Sequence, residues 1–198
     1  EEFDASKVTN VVGIDRGINF VVATYDSKQK SGFVNGRTIK QKRANYSKLR
    51  KELQMRRTPS SRRRIKAIGQ RENRWMQDVN HCISKALVDN NPKHTLFVLE
   101  DLSGVRNATE RVRTKDRYVS VSWSFYDLEQ KLIYKALKHH QLAQKVNPAY
   151  TSQTCSHCGV VIKSNRNGET YHCSVCGVEM DADVNAAVNI LRRGVYSH

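Results

Sequence analysis

Val8-Thr-Asn-Val-Val-Gly-Ile-Asp15-Arg16-Gly17, followed at once by Ile18-Asn-Phe-Val-Val-Ala-Thr-Tyr25, is the stretch on which the fold turns. Its first half is a β-branched run over 8–14, broken only by Gly13, that closes on an acid, a base and a glycine. Its second half is another strand, over 18–25, and Ser31-Gly-Phe-Val-Asn35 reads as a third. Tight connections at Gly17 and around 26–30 make the three an antiparallel meander. The sheet opens the fold, and its first strand ends on the carboxylate of Asp15.

Outward from the meander, residues 39–91 turn helical. Tyr46, Leu49 and Leu53 share one face, and Trp75, Val79, Ile83 and Leu87 another, at spacings of three and four. Pro59, followed by Ser60 and Ser61, splits the region, because proline stops the first helix and a serine can cap the second. His94-Thr-Leu-Phe-Val-Leu99 is a short buried strand ending in Glu100-Asp101, reached by a parallel crossover from the long helix. Residues 103–120 read as a polar, basic loop, and Phe125, Leu128, Leu132 and Ala136 mark a further amphipathic helix. A fifth strand covers 141–146. A cysteine-bearing insert then runs from Pro148 to about Gly177, and 181–193 closes the chain as a helix with Val184, Ala187, Val188 and Leu191 inward. The organisation expected is an α/β domain with a mixed five-stranded sheet over 1–150, containing a basic helical hairpin at about 37–91, a cysteine insert at 151–177, and a last helix of the same domain at 178–198.

Charge narrows the partners. Lys and Arg number 34 against 19 Asp and Glu in 198 residues, a formal net +15 with a pI near 9.8, which suits a polyanion. Between Arg37 and Arg74 stand 15 bases against Glu52 and Glu72, so this one segment carries +13 and the rest about +2. The chain starts at Glu1 with acids and no apolar leader, from which we expect no signal peptide and a missing front piece. No apolar run approaches the roughly 20 residues of a membrane span. A cytoplasmic protein, associated with the nucleoid if prokaryotic, is the expectation.

Cys155-Ser-His-Cys158-Gly159 and Cys173-Ser-Val-Cys176-Gly177 are the strongest local signal. Two such knuckles bring four thiolates to one Zn²⁺ at about 2.3 Å, and the glycines permit the tight turns. The competing reading, a pair of local disulfides, fits neither a reducing compartment nor those glycines. A closed four-thiolate site keeps no open position, so this zinc is structural, and loss of Cys173 should misplace Asp183 nearby. His157 and His172 flank the site as surface or supporting residues, and Cys82 stands apart.

Asp15, Glu100 and Asp183 are carboxylates placed where strands end or the last helix begins. Neighbouring strand ends lie about 5 Å apart, so acids remote in sequence can meet there. Their repulsion is tolerated if two Mg²⁺ neutralise them, and such a pair activates water against a phosphodiester. Singly, each acid is more often a cap or a helix-dipole partner, and only the trio is informative. Asp181-Ala-Asp183-Val-Asn185 also imitates the opening of a calcium loop. Ala186 and Arg192 occupy the positions where glycine and glutamate are needed, so calcium is rejected.

Arg56, Arg57, Arg62, Arg63 and Arg64 crowd the turn of the hairpin. A charge run is usually a solvated face, and residues 40–51 are read that way. Five arginines with only Glu52 close by call instead for phosphates, and contact with RNA or a heteroduplex is the expectation. Trp75, Trp123 and Phe125 sit at helical spacing among aliphatics and are read as core rather than as base-stacking platforms.

Four segments together carry a resemblance: Gly13-Ile-Asp15-Arg-Gly17, Leu99-Glu100-Asp101-Leu102, Thr151-Ser-Gln-Thr-Cys155-Ser-His-Cys158-Gly159 and Asp183-Val-Asn-Ala-Ala187-Val-Asn-Ile190. They resemble the RuvC-like and zinc-ribbon region of the TnpB proteins of insertion sequences, which are related to compact type V CRISPR effectors. The likeness covers nearly the whole chain, and Trp123-Ser-Phe125 and Tyr134-Lys-Ala136 share it. It implies an RNase H-like fold, catalytic roles for Asp15, Glu100 and Asp183, and Mg²⁺-dependent cutting of both DNA strands. A guide RNA, a target DNA with a short flanking motif, and an amino-terminal recognition region absent from this sequence are implied with it. Two other functions fit the same residues: a nucleic-acid-binding module that does not cut, and a transposase that joins strands by the same two-metal chemistry.

Overall fold

The computed structural model describes residues 5–17, 20–102 and 125–195. The loop read over 103–120, and Trp123, lie outside the described residues. A five-stranded sheet of order β3-β2-β1-β4-β5 is formed by β1 (Asn10–Asp15), β2 (Phe20–Asp26), β3 (Ser31–Asn35), β4 (Thr95–Glu100) and β5 (Leu142–Val146). The first three strands pair antiparallel, and β4 and β5 add in parallel, so the expected mixed sheet forms.

Side chains alternate across a sheet, and here both faces are covered. Val12, Ile14, Phe97 and Leu99 point to one face, where α2 (Pro59–Asp89) and α3 (Phe125–Lys138) supply Met76, Ile83, Val88, Leu128 and Leu132. Leu96, Val98 and Val146 point to the other, against Ile190 of α4 (Ala182–Val195). Each fully buried aliphatic contributes about 1.5–3 kcal/mol. Trp75 and Phe125 pack on the first of these cores, as read from their spacing.

The α4 helix lies nearly on the sheet backbone. A Cβ placed on Gly13 would meet the Ala187 carbonyl oxygen at 2.1 Å and the Leu191 nitrogen at 2.7 Å, so only glycine admits the helix there. Gly194 does the same for the far end of the helix, where a Cβ would fall 2.3 Å from Val98.

The basic hairpin consists of α1 (Arg37–Arg56) and α2, and two details differ from the sequence reading. The α2 cap is Thr58 rather than a serine. Pro59 takes the first helical position, where its missing N–H costs nothing, which places the cap one residue earlier. Ser61 completes a reciprocal box with Thr58. Nor is the run at 40–51 wholly a solvated face. Arg43 is 3% exposed and meets buried Glu72 at 3.4 Å, while Arg50 binds the same carboxylate. A guanidinium therefore fills some of the α1–α2 seam.

A second, three-stranded sheet belongs to the cysteine insert: β6 (Arg166–Asn167), β7 (Thr170–His172) and β8 (Glu179–Asp181). It runs past Gly177 and hands directly to α4, which starts at Ala182. Asp181 ends β8 and caps that helix, accepting from the backbone N–H groups of Asp183 at 2.9 Å and Val184 at 3.1 Å. Among the described residues, no helix is long and apolar enough to cross a membrane.

Candidate functional site

Asp15 and Glu100 end adjacent parallel strands, one step beyond the Ile14–Leu99 pair of the register. Alternation decides which way they face. Asp15 shares its side of the sheet with Val11 and Gly13, and Glu100 shares it with Leu96 and Val98, the side covered by α4. Asp183 sits in the first turn of that helix. Its Oδ2 would lie 3.8 Å from a Cβ on Gly17, just past Asp15. Because Asp181 already serves as the cap, the Asp183 carboxylate is free of that duty.

The electrostatics record the meeting. Asp15 is raised from 3.8 to about 7, by burial first and then by the facing charges of Glu100 and Asp183, with Arg166 opposing. Burial also raises Glu100, against the hydroxyl of Thr151 and the charge of Arg16, and raises Asp183 against Arg166. Asp15 feels the charges of both other acids, yet the three do not form a tight ligand cluster. Among the described residues, the only potential metal cluster with all ligand atoms within 4.8 Å of one another is made of cysteines.

Four neighbours hold this arrangement. Buried Arg16 pairs with Glu129 of α3 at 3.1 Å, donates to the Glu100 backbone carbonyl, and reaches the Phe125 carbonyl at 3.3 Å. It thereby ties the ends of β1 and β4 to the start of α3. Arg166, from the insert, donates to Asp183 Oδ1 at 2.8 Å. The Thr151 hydroxyl donates to Glu100 Oε1. Asp101, next along from Glu100, lies 3.6 Å from Lys145. None of these partners stood out in the sequence, where Arg16 and Arg166 were two bases among 34 and Thr151 one hydroxyl in a motif.

The insert converges as the cysteine spacing predicts. Cys155, Cys158, Cys173 and Cys176 have all four Sγ atoms within 4.8 Å of one another, a set able to hold one metal ion. The Cys155–Cys176 and Cys158–Cys173 separations are each 3.7 Å, far beyond the roughly 2 Å of a disulfide. The two knuckles repeat one pattern. Gly159 donates to the Cys155 carbonyl and Gly177 to that of Cys173, both at 2.9 Å, with φ of 79° and 72°. Backbone N–H groups, that of Cys176 first, draw the Cys173 thiol down to about 6. Against the Val178 N–H, burial and the neighbouring thiols push Cys176 up to about 12, so without a cation the crowded set favours one thiolate. His157 and His172 are exposed and stand outside the cluster.

The ribbon is fastened to α4 by carboxamides. Asn185 donates to the Thr154 carbonyl at 2.8 Å and accepts from the Ser156 N–H at 2.9 Å; Asn189 donates to the carbonyls of Thr151 at 2.9 Å and Thr154 at 2.7 Å. Far from this, Arg56, Arg57, Arg62, Arg63 and Arg64 are all exposed at the hairpin turn.

Comparison with known proteins agrees with both halves of this arrangement. The family model for the OrfB proteins of IS605-type elements, described as probable transposase, matches residues 3–110, and the Cas12f1-like TNB domain model matches 125–190. The chain belongs to the TnpB family. A TnpB-like protein of Methanocaldococcus jannaschii is 30% identical to this TnpB-family chain over 89% of it and 66% of its own length. The CRISPR-associated endodeoxyribonuclease Cas12f1 of Sulfoacidibacillus thermotolerans is 37% identical over 65% of the chain, but over only 30% of its own length. The chain thus spans about a third of the length of such Cas12f1 relatives. A Cas12f1–sgRNA–target DNA complex has the same fold, with a TM-score of 0.74 over 95% of the chain and 51% of the solved one, at 18% identity. The RuvC-like fold expected of a TnpB protein is therefore the fold found.

Proposed function

We propose that this TnpB-family chain is the nuclease portion of an RNA-guided DNA endonuclease, with Asp15, Glu100 and Asp183 as its catalytic acids. The observation that carries the reading is that Asp15 and Glu100 end adjacent strands on the face covered by α4, with Asp183 in the first turn of that helix. Burial, with the charges of Glu100 and Asp183 added to it, raises Asp15 to about 7. Hard oxygen donors from three carboxylates, only partly offset by Arg16 and Arg166, suit Mg²⁺. Asp15, Glu100 and Asp183 would hold a pair of such ions, which supply charge neutralisation and water activation for phosphodiester hydrolysis. The chain's own contribution is positional. Arg16 holds the two strand ends in register, Thr151 occupies one oxygen of Glu100, and Gly17, lacking a side chain, lets the chain after Asp15 pass close to the Asp183 carboxylate. Arg166, half-buried, brings a cation against Asp183, where it would also offset phosphate charge.

The four cysteines are read as a structural zinc site. The edge of a tetrahedron with Zn–S bonds of about 2.3 Å is about 3.8 Å, close to the 3.7 Å separations found. In domain terms we place a ribbon at 151–177 within a nuclease domain formed by 1–150 and 178–198. Arg56, Arg57, Arg62, Arg63 and Arg64 are assigned to the phosphates of guide RNA or of its duplex with target DNA, in keeping with exposed guanidinium groups on a chain of net +15. The relatives' names, an RNA-guided DNA endonuclease and a complex with sgRNA and target DNA, support guide and target as partners.

Cleavage of single-stranded DNA by this chain in Mg²⁺, wild type against Asp183→Ala, tests the reading. We expect at least about a 100-fold loss, the scale of removing several kcal/mol of charge stabilisation. Equal rates would reject the site. The probable-transposase description of the matching family model favours a second reading, strand transfer by the same acids. Joined DNA products, rather than nicks alone, would select it.

A further inference from the structure

Besides the Arg166–Asp183 contact, a second hydrogen bond links the ribbon to the acids. Thr151 is 2% exposed and its hydroxyl donates to Glu100 Oε1. The Pro148 carbonyl is also within 3.1 Å, but a hydroxyl has one proton to give, and a carboxylate is the stronger acceptor. The backbone of Thr151 is itself held, since Asn189 grips its carbonyl and that of Thr154, and Asn185 grips Thr154 and Ser156. Both carboxamides stand on α4, the helix that carries Asp183. A closed circuit results, running from Asp183 along α4, through Asn189 to Thr151, and across to Glu100.

We propose that Thr151 is the positioning residue of Glu100: its hydroxyl occupies Oε1 and so aims the other carboxylate oxygen at a cation held together with Asp15. This rests on the nuclease reading above and adds to it a residue from the ribbon. Ligating carboxylates are commonly fixed by such outer hydrogen bonds, whose removal costs about 10- to 100-fold in metal affinity. Threonine suits the task because its branched Cβ limits rotation in the buried site while its hydroxyl reaches the acid.

The test is calorimetric titration of the 198-residue, zinc-loaded chain with Mn²⁺, with zinc content measured for every variant. Thr151→Val keeps the volume and removes the donor; we expect Mn²⁺ binding about tenfold weaker, with zinc retained. Thr151→Ser restores the hydroxyl and should bind close to wild type. On a Glu100→Gln background, Thr151→Val should cause no further loss, because the group it aims is gone. Parent-like affinity in Thr151→Val, a serine variant as weak as the valine one, or equal losses in both backgrounds would each overturn the assignment. If Thr151→Val sheds its zinc, the serine variant and the Glu100→Gln cycle still decide. Asp183→Ala separates the two levels: unchanged Mn²⁺ binding there defeats the nuclease reading, whereas loss there with a parent-like Thr151→Val defeats only the positioning role.

Discussion

Asp15 carries the cost of the site. Folded and without a cation it keeps its proton to about pH 7; unfolded it releases it near 3.8. Between those values the native state binds more protons than the unfolded one, so stability falls as pH rises. A displacement of that size corresponds to on the order of 4 kcal/mol. Asp15→Asn should therefore melt higher than wild type at pH 8 in magnesium-free, zinc-replete buffer, and the two should converge near pH 4. Identical melting at pH 8 would remove the claim that burial and the facing carboxylates raise Asp15. The sequence carries the identity of the acids but not their roles. By position at the helix start Asp181 and Asp183 look equivalent; the resemblance singles out Asp183, and the hydrogen bonds from the Asp183 and Val184 N–H groups show Asp181 to be the cap.

The α4 helix places Asp183 by lying against a strand with no side chain between them. Gly13→Ala would drive a methyl group into the Ala187 carbonyl and the backbone at Leu191, and the helix would have to lift. Overpacking of this kind costs about 1–3 kcal/mol, read as a lowered denaturant midpoint. Because the lift also carries Asp183 away from Asp15, cleavage should drop further than the lost stability explains. An alanine variant with full activity would mean that the helix tolerates the displacement. The sequence shows Gly13 only as an interruption in a β-branched run, whereas the strand itself, its neighbours and the helix over 181–193 are visible in periodicity because their burial is regular.

Charge acts over the entire molecule. The excess lies on one hairpin, whereas the proposed site is acidic, so on the proposed reading holding a polyanion and cutting it fall to different parts of the chain. Changing Arg56, Arg57, Arg62, Arg63 and Arg64 to glutamine should flatten the salt dependence of nucleic-acid binding. Each lost phosphate contact removes about 0.7–0.9 from the log–log slope, while these exposed positions should leave the melting temperature near its parent value. An unchanged slope would move the binding surface elsewhere. Arg43 and Arg50, in the same run of sequence, belong to a different population because Glu72 engages them between the helices.

What the sequence by itself determined is whatever depends on local pattern: the strands, the split helical hairpin, the two cysteine knuckles and the three acids at element ends. Such features follow from side-chain period and turn chemistry within a few residues. Only the tertiary structure decided which side of the sheet the acids face, that Arg16 and Arg166 brace them, that Arg43 is buried, and that Thr151 and the carboxamides of α4 join the ribbon to Glu100. The reason is physical: these are contacts between residues 17 to 113 positions apart, formed where chain segments cross, and spacing along the sequence holds no record of them.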